Sequence, residues 1–350
     1  MRIVPPFTVN NSNLTASNVP EVAPSDYSAG TTYDTGDRAG DPQGDTAGTI
    51  KVYESKVDSN TGNALTDTDY WLYLGDTYEE YDVGTSYAAD RYVISTSTNH
   101  VYQSLTGSNL GNSLSNTAAW LDLGPTNRYL MFDLSNSSQT VNGDEIDLTI
   151  DVTGRINSVA FLNIVASELQ VIVTDATDGV VYDETISLIA SDDVSNWWEY
   201  FFLPVRRYGD WTFLDLPTYS NPTVRLIIRD PGATVKVGSA VLGLSRNIGN
   251  TVYPSDLSIQ DYSRKEVDDF GYYTIVVRDF AKKANLKVSS PENQVDVITE
   301  ILADLRATPC LFVGVEAYRA SWVYGFYREW KWQLAGPNES YLYLDIEGLT

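Results

Sequence analysis

The sequence predicts a mainly β fold: tandem small β modules, a jelly-roll-like β-sandwich and a C-terminal α+β module. Three observations carry this. The chain has 24 Tyr, 8 Trp and only 2 Met among 350 residues, and aromatic and β-branched side chains suit a pleated, half-buried surface. A stretch in the N-terminal third repeats itself. Beyond residue 127 the sequence breaks into short apolar-rich runs separated by turn residues, the spacing of a multistranded β domain. At this length a prior of roughly 100–200 residues per domain gives two or three domains.

Residues 1–26, which include Pro5-Pro6, read as an extended N-terminal arm. Two copies of one unit follow, at 27–77 and 78–126. The opening is Tyr27-Ser28-Ala29-Gly30-Thr31-Thr32-Tyr33 in the first and Tyr81-Asp82-Val83-Gly84-Thr85-Ser86-Tyr87 in the second. The middle is Val52-Tyr53-Glu54-Ser55 against Val101-Tyr102-Gln103-Ser104, and the end is Trp71-Leu72-Tyr73-Leu74-Gly75 against Trp120-Leu121-Asp122-Leu123-Gly124. The first copy is longer between opening and middle, around Gly40-Asp41-Pro42-Gln43-Gly44-Asp45; such residues turn the chain, so the insertion is expected to be a hairpin loop. Units of about 50 residues bury little surface, so each needs a small core built on Tyr and Trp.

Residues 127–250 contain strand-like runs at 145–152, 158–165, 169–174, 180–188, 197–204, 224–229 and 234–244, punctuated by Asp175-Ala176-Thr177-Asp178-Gly179 and Asp230-Pro231-Gly232. Six or seven strands in this span predict the sandwich. In 251–350 a strand at 272–278 precedes a helix at 291–306, where Val295, Ile298, Leu302 and Leu305 recur at three- and four-residue steps and Pro291 suits the first turn. Strands at 310–315, 324–334 and 341–346 complete an α+β module.

The formal charge of -24 and pI near 4.2 exclude a partner gripped through its phosphates, which requires Lys and Arg to displace counterions; nucleic acid is not expected. One cysteine, Cys310, rules out an internal disulfide framework, and its neighbours Leu311, Phe312 and Val313 predict a buried strand. No apolar run at the start has signal-peptide length and none approaches about 18 residues, so assembly, not secretion or membrane insertion, is the expected route.

The sole histidine, His100, sits beside a turn in Ser97-Thr98-Asn99-His100. Every Ser-His-Asp or histidine–metal scheme would have to use it. No catalytic residue, cofactor or metal site is therefore expected, and the chain reads as non-enzymatic. Asp175, Asp178 and Gly179 fit a hairpin turn, or less commonly a calcium loop. Aromatic faces with a few fixed polar groups grip sugars. Tyr27, Tyr33, Tyr53 and Trp71 in the first copy, with Tyr81, Tyr87, Tyr102 and Trp120 in the second, are candidates for that role; the alternative is that they form the cores. In a strand Trp197 and Trp198 would face opposite sides, one buried and one available for a protein contact. Tyr324, Phe326, Arg328, Trp330 and Trp332 would share one face of an unbroken strand and pack on the helix.

With its aromatic-x-x-Gly-Thr-x-Tyr opening, central Val-Tyr and closing Trp, the repeat resembles the small chitin-binding-type carbohydrate-binding modules of families five and twelve. Tyr27 and Tyr81 stand where that family often has Trp. The larger frame, with Pro5-Pro6, the modules, Gly124-Pro125-Thr126-Asn127-Arg128-Tyr129-Leu130-Met131-Phe132-Asp133, a sandwich and Asp261-Tyr262-Ser263-Arg264-Lys265-Glu266, resembles a class of tailed-bacteriophage tail proteins. The resemblance implies a structural virion protein of the tail tip or baseplate, made in the host cytoplasm, homo-oligomeric in the particle. Its partners would be other tail proteins and host surface polysaccharide, with the repeats carried outward. A tail scaffold without glycan binding and a secreted glycan-active protein are the alternatives.

Overall fold

The computed structural model describes residues 1–190, 196–202, 206–267, 269–336 and 339–349. The N-terminal residues are extended, but they are stitched into two sheets. Strand β1 (Arg2–Val4) lies inside the C-terminal sheet and β2 (Leu14–Ser17) at the edge of the sandwich sheet. Ile3 and Val4 are wholly buried in different clusters, one in the C-terminal core and one in the seam between the two large modules, as alternation across a strand dictates.

The first repeat contains β3 (Thr32–Tyr33), β4 (Arg38–Pro42), β5 (Ile50–Ser55), β6 (Asn60–Thr61) and β7 (Trp71–Thr77). The second contains β8 (Tyr92–Ser95), β9 (His100–Ser104) and β10 (Trp120–Pro125). Sheet β4-β5-β7 matches sheet β8-β9-β10 down to the bulge: Tyr53 faces Tyr73 and Val52 faces Gly75 in one, Tyr102 faces Asp122 and Val101 faces Gly124 in the other. The extra residues of the first copy form the loop joining β4 to β5.

The sandwich consists of β11 (Thr140–Asp151), β12 (Ser158–Val165), β13 (Glu168–Asp175), β14 (Gly179–Ser187), the six-residue helix α1 (Trp197–Phe202), β15 (Trp211–Leu214) and β16 (Thr223–Gly243). Two strands were expected where β16 is one. Its first half pairs with β13 and β11, and its second half with β12 and the start of β11, so a single sheet doubles over its own core. Asp230-Pro231-Gly232 bends the strand without reversing it. Opposite lies a bulge at Gly143/Glu145, and the Gly232 amide donates to Asp144 Oδ1 at 2.9 Å; bulges sharpen local twist in this way. Phe161, Ile146, Leu148, Ile150, Leu226 and Ile228 fill the space between the halves.

The strand expected at 197–204 is also corrected: its described part, 197–202, is helical, and Leu203 and Pro204 lie outside the described residues. Asp175 does form a hairpin turn, its carboxylate accepting from the amides of Thr177 and Asp178.

The C-terminal module holds β17 (Arg246–Asn247), β18 (Asn250–Asp261), β19 (Arg264–Val267), β20 (Tyr273–Val276), β21 (Phe280–Ser290), α2 (Val295–Asp304), β22 (Cys310–Val313), β23 (Trp322–Leu334) and β24 (Ser340–Gly348). Its sheet runs β17-β1-β22-β23-β24-β21-β18. Helix α2 buries Ile298 and Leu302 against Leu286, Val288, Phe312 and Leu344. The expected single aromatic face on β23 is broken by a bulge between Tyr327 and Glu329. Parity therefore switches. Tyr327, Trp330 and Trp332 pack toward α2, with Trp332 Nε1 donating to Thr299 Oγ1 at 3.0 Å, while Trp322 and Tyr324 pack with Ala160, Leu162 and Val241 of the sandwich. That apolar seam, the Lys282–Asp210 ion pair at 2.5 Å and the Arg319 guanidinium stacked 3.5 Å from the Tyr208 ring join the modules.

Candidate functional site: the faces of the tandem repeats

Each copy folds around the same three rings. In the first, Tyr27 stacks on Tyr33 with centroids 6.0 Å apart, and both meet Trp71 edge-on at 5.8 and 5.0 Å. In the second, Tyr81 stacks on Tyr87 at 6.1 Å, and both meet Trp120 edge-on at 5.6 and 5.4 Å. Edge-to-face pairs align the positive rim of one ring with the negative face of another and add about 0.5–1.5 kcal/mol each beyond area burial. The polar frame is duplicated too. Trp71 Nε1 and Tyr27 OH both donate to the Asn63 carbonyl at 3.1 and 2.8 Å, as Trp120 Nε1 and Tyr81 OH do to the Asn112 carbonyl at 3.0 and 2.7 Å. Asn60 and Asn109, both buried, donate to Ser55 and Ser104, each at 3.0 Å.

This frame decides between the two readings of the eight aromatic residues. Trp71 and Trp120 are each 2% exposed, and Tyr33, Tyr87 and Tyr102 are buried as well. None of the five has a ring face for a sugar, so as stacking platforms they are corrected to core. Tyr27, Tyr53 and Tyr81 are half-buried. The physical reason is size, since a unit this small reaches a closed core only with its largest side chains inside.

What remains is the open rim of that same sheet face, beyond the three-ring core, where the copies differ. In the first, Tyr53 on β5 sits opposite Tyr73 on β7, with centroids 5.5 Å apart and ring planes 54° apart. Tyr73 is 39% exposed and donates to Asp76 Oδ1 at 2.7 Å. Burial, then the nearby carboxylates of Asp41 and Asp76, holds the Tyr53 hydroxyl above its ordinary pKa, and burial with Asp76 does the same to Tyr73. Both stay neutral donors. In the second copy Asp122 takes the place of Tyr73, and His100 Nδ1 lies 2.8 Å from either Asp122 oxygen. Among the described residues no hydroxyl bonds to the other His100 nitrogen. Tyr73 was missed in the sequence. Its signal was that the closing blocks, otherwise matched, differ there by an aromatic ring.

The copies are fastened to each other and to the sandwich. The inserted loop lies under Arg91: the Tyr92 amide donates to the Ala47 carbonyl at 2.8 Å, Arg91 pairs with Glu79 at 3.2 Å, and a Cβ on Gly48 would fall 2.0 Å from the Arg91 guanidinium carbon. At the junction the Gly124-to-Asp133 segment is an anchor. Arg128 pairs with the buried Glu21 at 2.9 Å and donates to the Val19 carbonyl, while Asn127 exchanges two 2.8 Å hydrogen bonds with Val141 of β11. Burial raises the Glu21 pKa in spite of Arg128.

Trp197 and Trp198, expected on opposite faces, are 78% and 63% exposed, together with Phe201 at 68% and Phe202 at 69%. They pair one helical turn apart, Trp197 with Phe201 and Trp198 with Phe202, the spacing that brings helical side chains together. Cys310 is wholly buried, its thiol pushed up to about 12 by burial. Among the described residues no group of three or more His, Cys, Asp or Glu side chains is placed to hold a metal ion, and no helix is long and apolar enough to cross a membrane. A scan against models of protein families finds no match, and searches of curated proteins and of solved structures find none either.

Proposed function

We propose that this chain is a non-enzymatic assembly protein, a structural virion component of the phage tail-tip kind that its repeats and frame resemble. The observation that carries the reading is the placing of large apolar side chains in water on two protrusions outside the repeats: the aromatic helix α1 and the β19–β20 ribbon, where Val267, Tyr273 and Ile275 are each at least 60% exposed. Exposed apolar clusters of that kind mark surfaces that partners cover. The sandwich and C-terminal module then form the docking part, and the repeats the outward part. Glycan contact, in this reading, belongs to Tyr53 and Tyr73. A scaffold without glycan binding is the second reading, favoured by the burial of Trp71 and Trp120. Cryo-electron microscopy of particles from a host culture tests the proposal: density for this chain at the tail tip, repeats outermost, is expected. Particles that lack the chain overturn it.

A further inference from the structure

We infer that the cavity between the sandwich and the C-terminal module is a binding site for one neutral pyranose unit, held by hydrogen bonds and not by stacking. The site lies apart from the rim of the first repeat and depends on neither the assembly reading nor glycan contact there. The cavity measures about 320 Å³, a ligand-sized space at a junction of domains, where such sites concentrate. Leu162, Phe280, Trp322 and Leu349 supply its apolar lining. Trp322 and Tyr324 keep their ring faces in the apolar seam, at 6% and 7% exposure, so neither is a stacking platform.

The wall on the sandwich side interrupts a strand pair. Along β12 and β16, Leu162 pairs with Ser239 and Ile164 with Val237, but the ladder passes over Asn163 and Gly238 between them. Asn163 turns to a φ of 52°, the left-handed region that Asn tolerates better than most residues, and a Cβ on Gly238 would fall 2.5 Å from the Asn136 carbonyl oxygen. The kink ties Asn163 into a network. Its amide N–H donates to Asp210 Oδ1 at 3.0 Å, its Nδ2 donates to the Asn136 carbonyl at 2.7 Å, and its carbonyl accepts from Gln139 at 2.9 Å. Asp210 Oδ2 in turn accepts from the Lys282 ammonium of β21. A wall fixed in this manner is set before a ligand arrives, which removes an ordering cost from binding.

Three polar groups of the lining have no partner among the described residues: the Tyr324 hydroxyl, Asn163 Oδ1 and the Asp279 carboxylate. Tyr324 is the telling one, because a hydroxyl on so buried a residue forfeits a hydrogen bond unless something in the cavity completes it. Burial pushes that hydroxyl up to about 12, so it stays a neutral donor.

Charge and hydrogen-bonding capacity choose the ligand. The charged residues of the lining are Asp210, Asp279 and Lys282, one net negative charge, and Lys282 is already paired with Asp210. Phosphates, sulfates and uronates are therefore turned away, and an ammonium would meet the Lys282 cation. A sugar hydroxyl both donates and accepts, so a ring of them satisfies the Tyr324 donor and the two acceptors together while its apolar side rests on Leu162 and Phe280. Past Asp279, Gly348 and Leu349 the cavity opens on a second hollow walled by Tyr262, Phe326 and Arg328, which leaves room for the unit inside to be the end of a longer chain.

Saturation-transfer NMR on the full chain, titrated with galactose, glucose or mannose between about 0.1 and 50 mM, should show millimolar binding of at least one of them. Galacturonate, which carries a carboxylate where galactose has a hydroxymethyl group, should bind at least about tenfold more weakly than galactose. Tyr324→Phe, which removes only the hydroxyl, and Asp279→Ala, on an exposed residue, should each weaken the sugar about three- to tenfold with an unchanged circular dichroism spectrum. If none of the neutral sugars receives saturation, the cavity holds solvent alone. If galacturonate binds as tightly as galactose, the charge argument fails, and if binding survives both substitutions in folded protein, the sugar sits elsewhere on the chain. Each of these results overturns the assignment. None bears on the Tyr53–Tyr73 rim or on the assembly reading, which are judged by multivalent surface binding and by the chain's place in the particle.

Discussion

The two repeats share an interior and differ on their surface. Tyr27, Tyr33 and Trp71 superpose in role on Tyr81, Tyr87 and Trp120 ring for ring, and the Asn63 and Asn112 carbonyls accept the same two bonds. At the rim of that sheet face, by contrast, Tyr73 of the first copy, opposite Tyr53, gives way in the second to Asp122, which sits opposite Tyr102 and within 2.8 Å of His100 Nδ1. Duplication thus preserved what a tiny core cannot lose and left free what water covers. An aromatic residue held in both copies is, in this protein, a mark of packing; the aromatic residue present in one copy only is the better pointer to a ligand.

The largest test of that contrast is to empty the shared core. Trp71→Ala and Trp120→Ala should each cost about 3–5 kcal/mol, the range for an emptied aromatic site, and the two losses should be alike. Thermal melts followed by near-ultraviolet circular dichroism measure them. A folded Trp71→Ala variant with native melting would break the claim that the ring is structural.

Next is the anchor that holds the second copy and the sandwich together. Arg128→Ala strands the buried Glu21 carboxylate and should cost roughly 2–4 kcal/mol at pH 7. The sign in pH follows from the raised Glu21 pKa: a carboxyl with a higher pKa in the fold than in the unfolded chain favours the fold when protonated and opposes it as pH rises through the folded value. Removing Arg128 raises that value further. The penalty should therefore be full at pH 7 and shrink as pH is lowered toward 4, as denaturant titrations at both pH values would show; a penalty that grew in acid would contradict the assignment.

The smallest effect on stability, and the most telling for function, comes from exchanging the one rim residue in which the copies differ. Tyr73→Asp in the first copy and Asp122→Tyr in the second should each change stability by less than about 1 kcal/mol, as half-exposed sites do. Binding to a polysaccharide-coated surface, read by interferometry with the chain displayed multivalently because a single stack is worth only about 1 kcal/mol, should fall with the first change and recover when both are made. Equal binding by parent and both variants would assign the face to scaffolding.

Much of this architecture was legible in the sequence because its signals are local. The matched strands of the two repeats, the hairpin loop of the first copy, the amphipathic helix and the buried strand at Cys310 each follow from spacing or neighbours alone. The misreadings share one cause, which is that chain parity is reset by contacts from elsewhere. The bulge after Tyr327 leaves Trp330 and Trp332 on the helix side, as expected, but turns Tyr324 to the sandwich, and the turn residues at Asp230 to Gly232 bend β16 because β11 bulges opposite. Trp197 and Trp198 looked like strand residues by propensity, yet their pairings with Phe201 and Phe202 are helical. Of the Tyr53–Tyr73 pair, the sequence singled out Tyr53 and not Tyr73, whose interest depends on a partner across the sheet.

Strand β1 carries a consequence for how the protein is made. Ile3 pairs with Phe312 and Val4 with Leu311, so a segment has its place in a sheet whose neighbouring strand is made about three hundred residues later. The repeats can close as they leave the ribosome, each from strands adjacent in sequence, whereas the C-terminal sheet is gated by long-range pairing, the slow kind of folding step. A ribosome that stalls before residue 310 leaves Ile3 and Val4 without their slot. Completion of the sheet is in effect a checkpoint on synthesis, passed only when residues 310–313 have been made and have found β1.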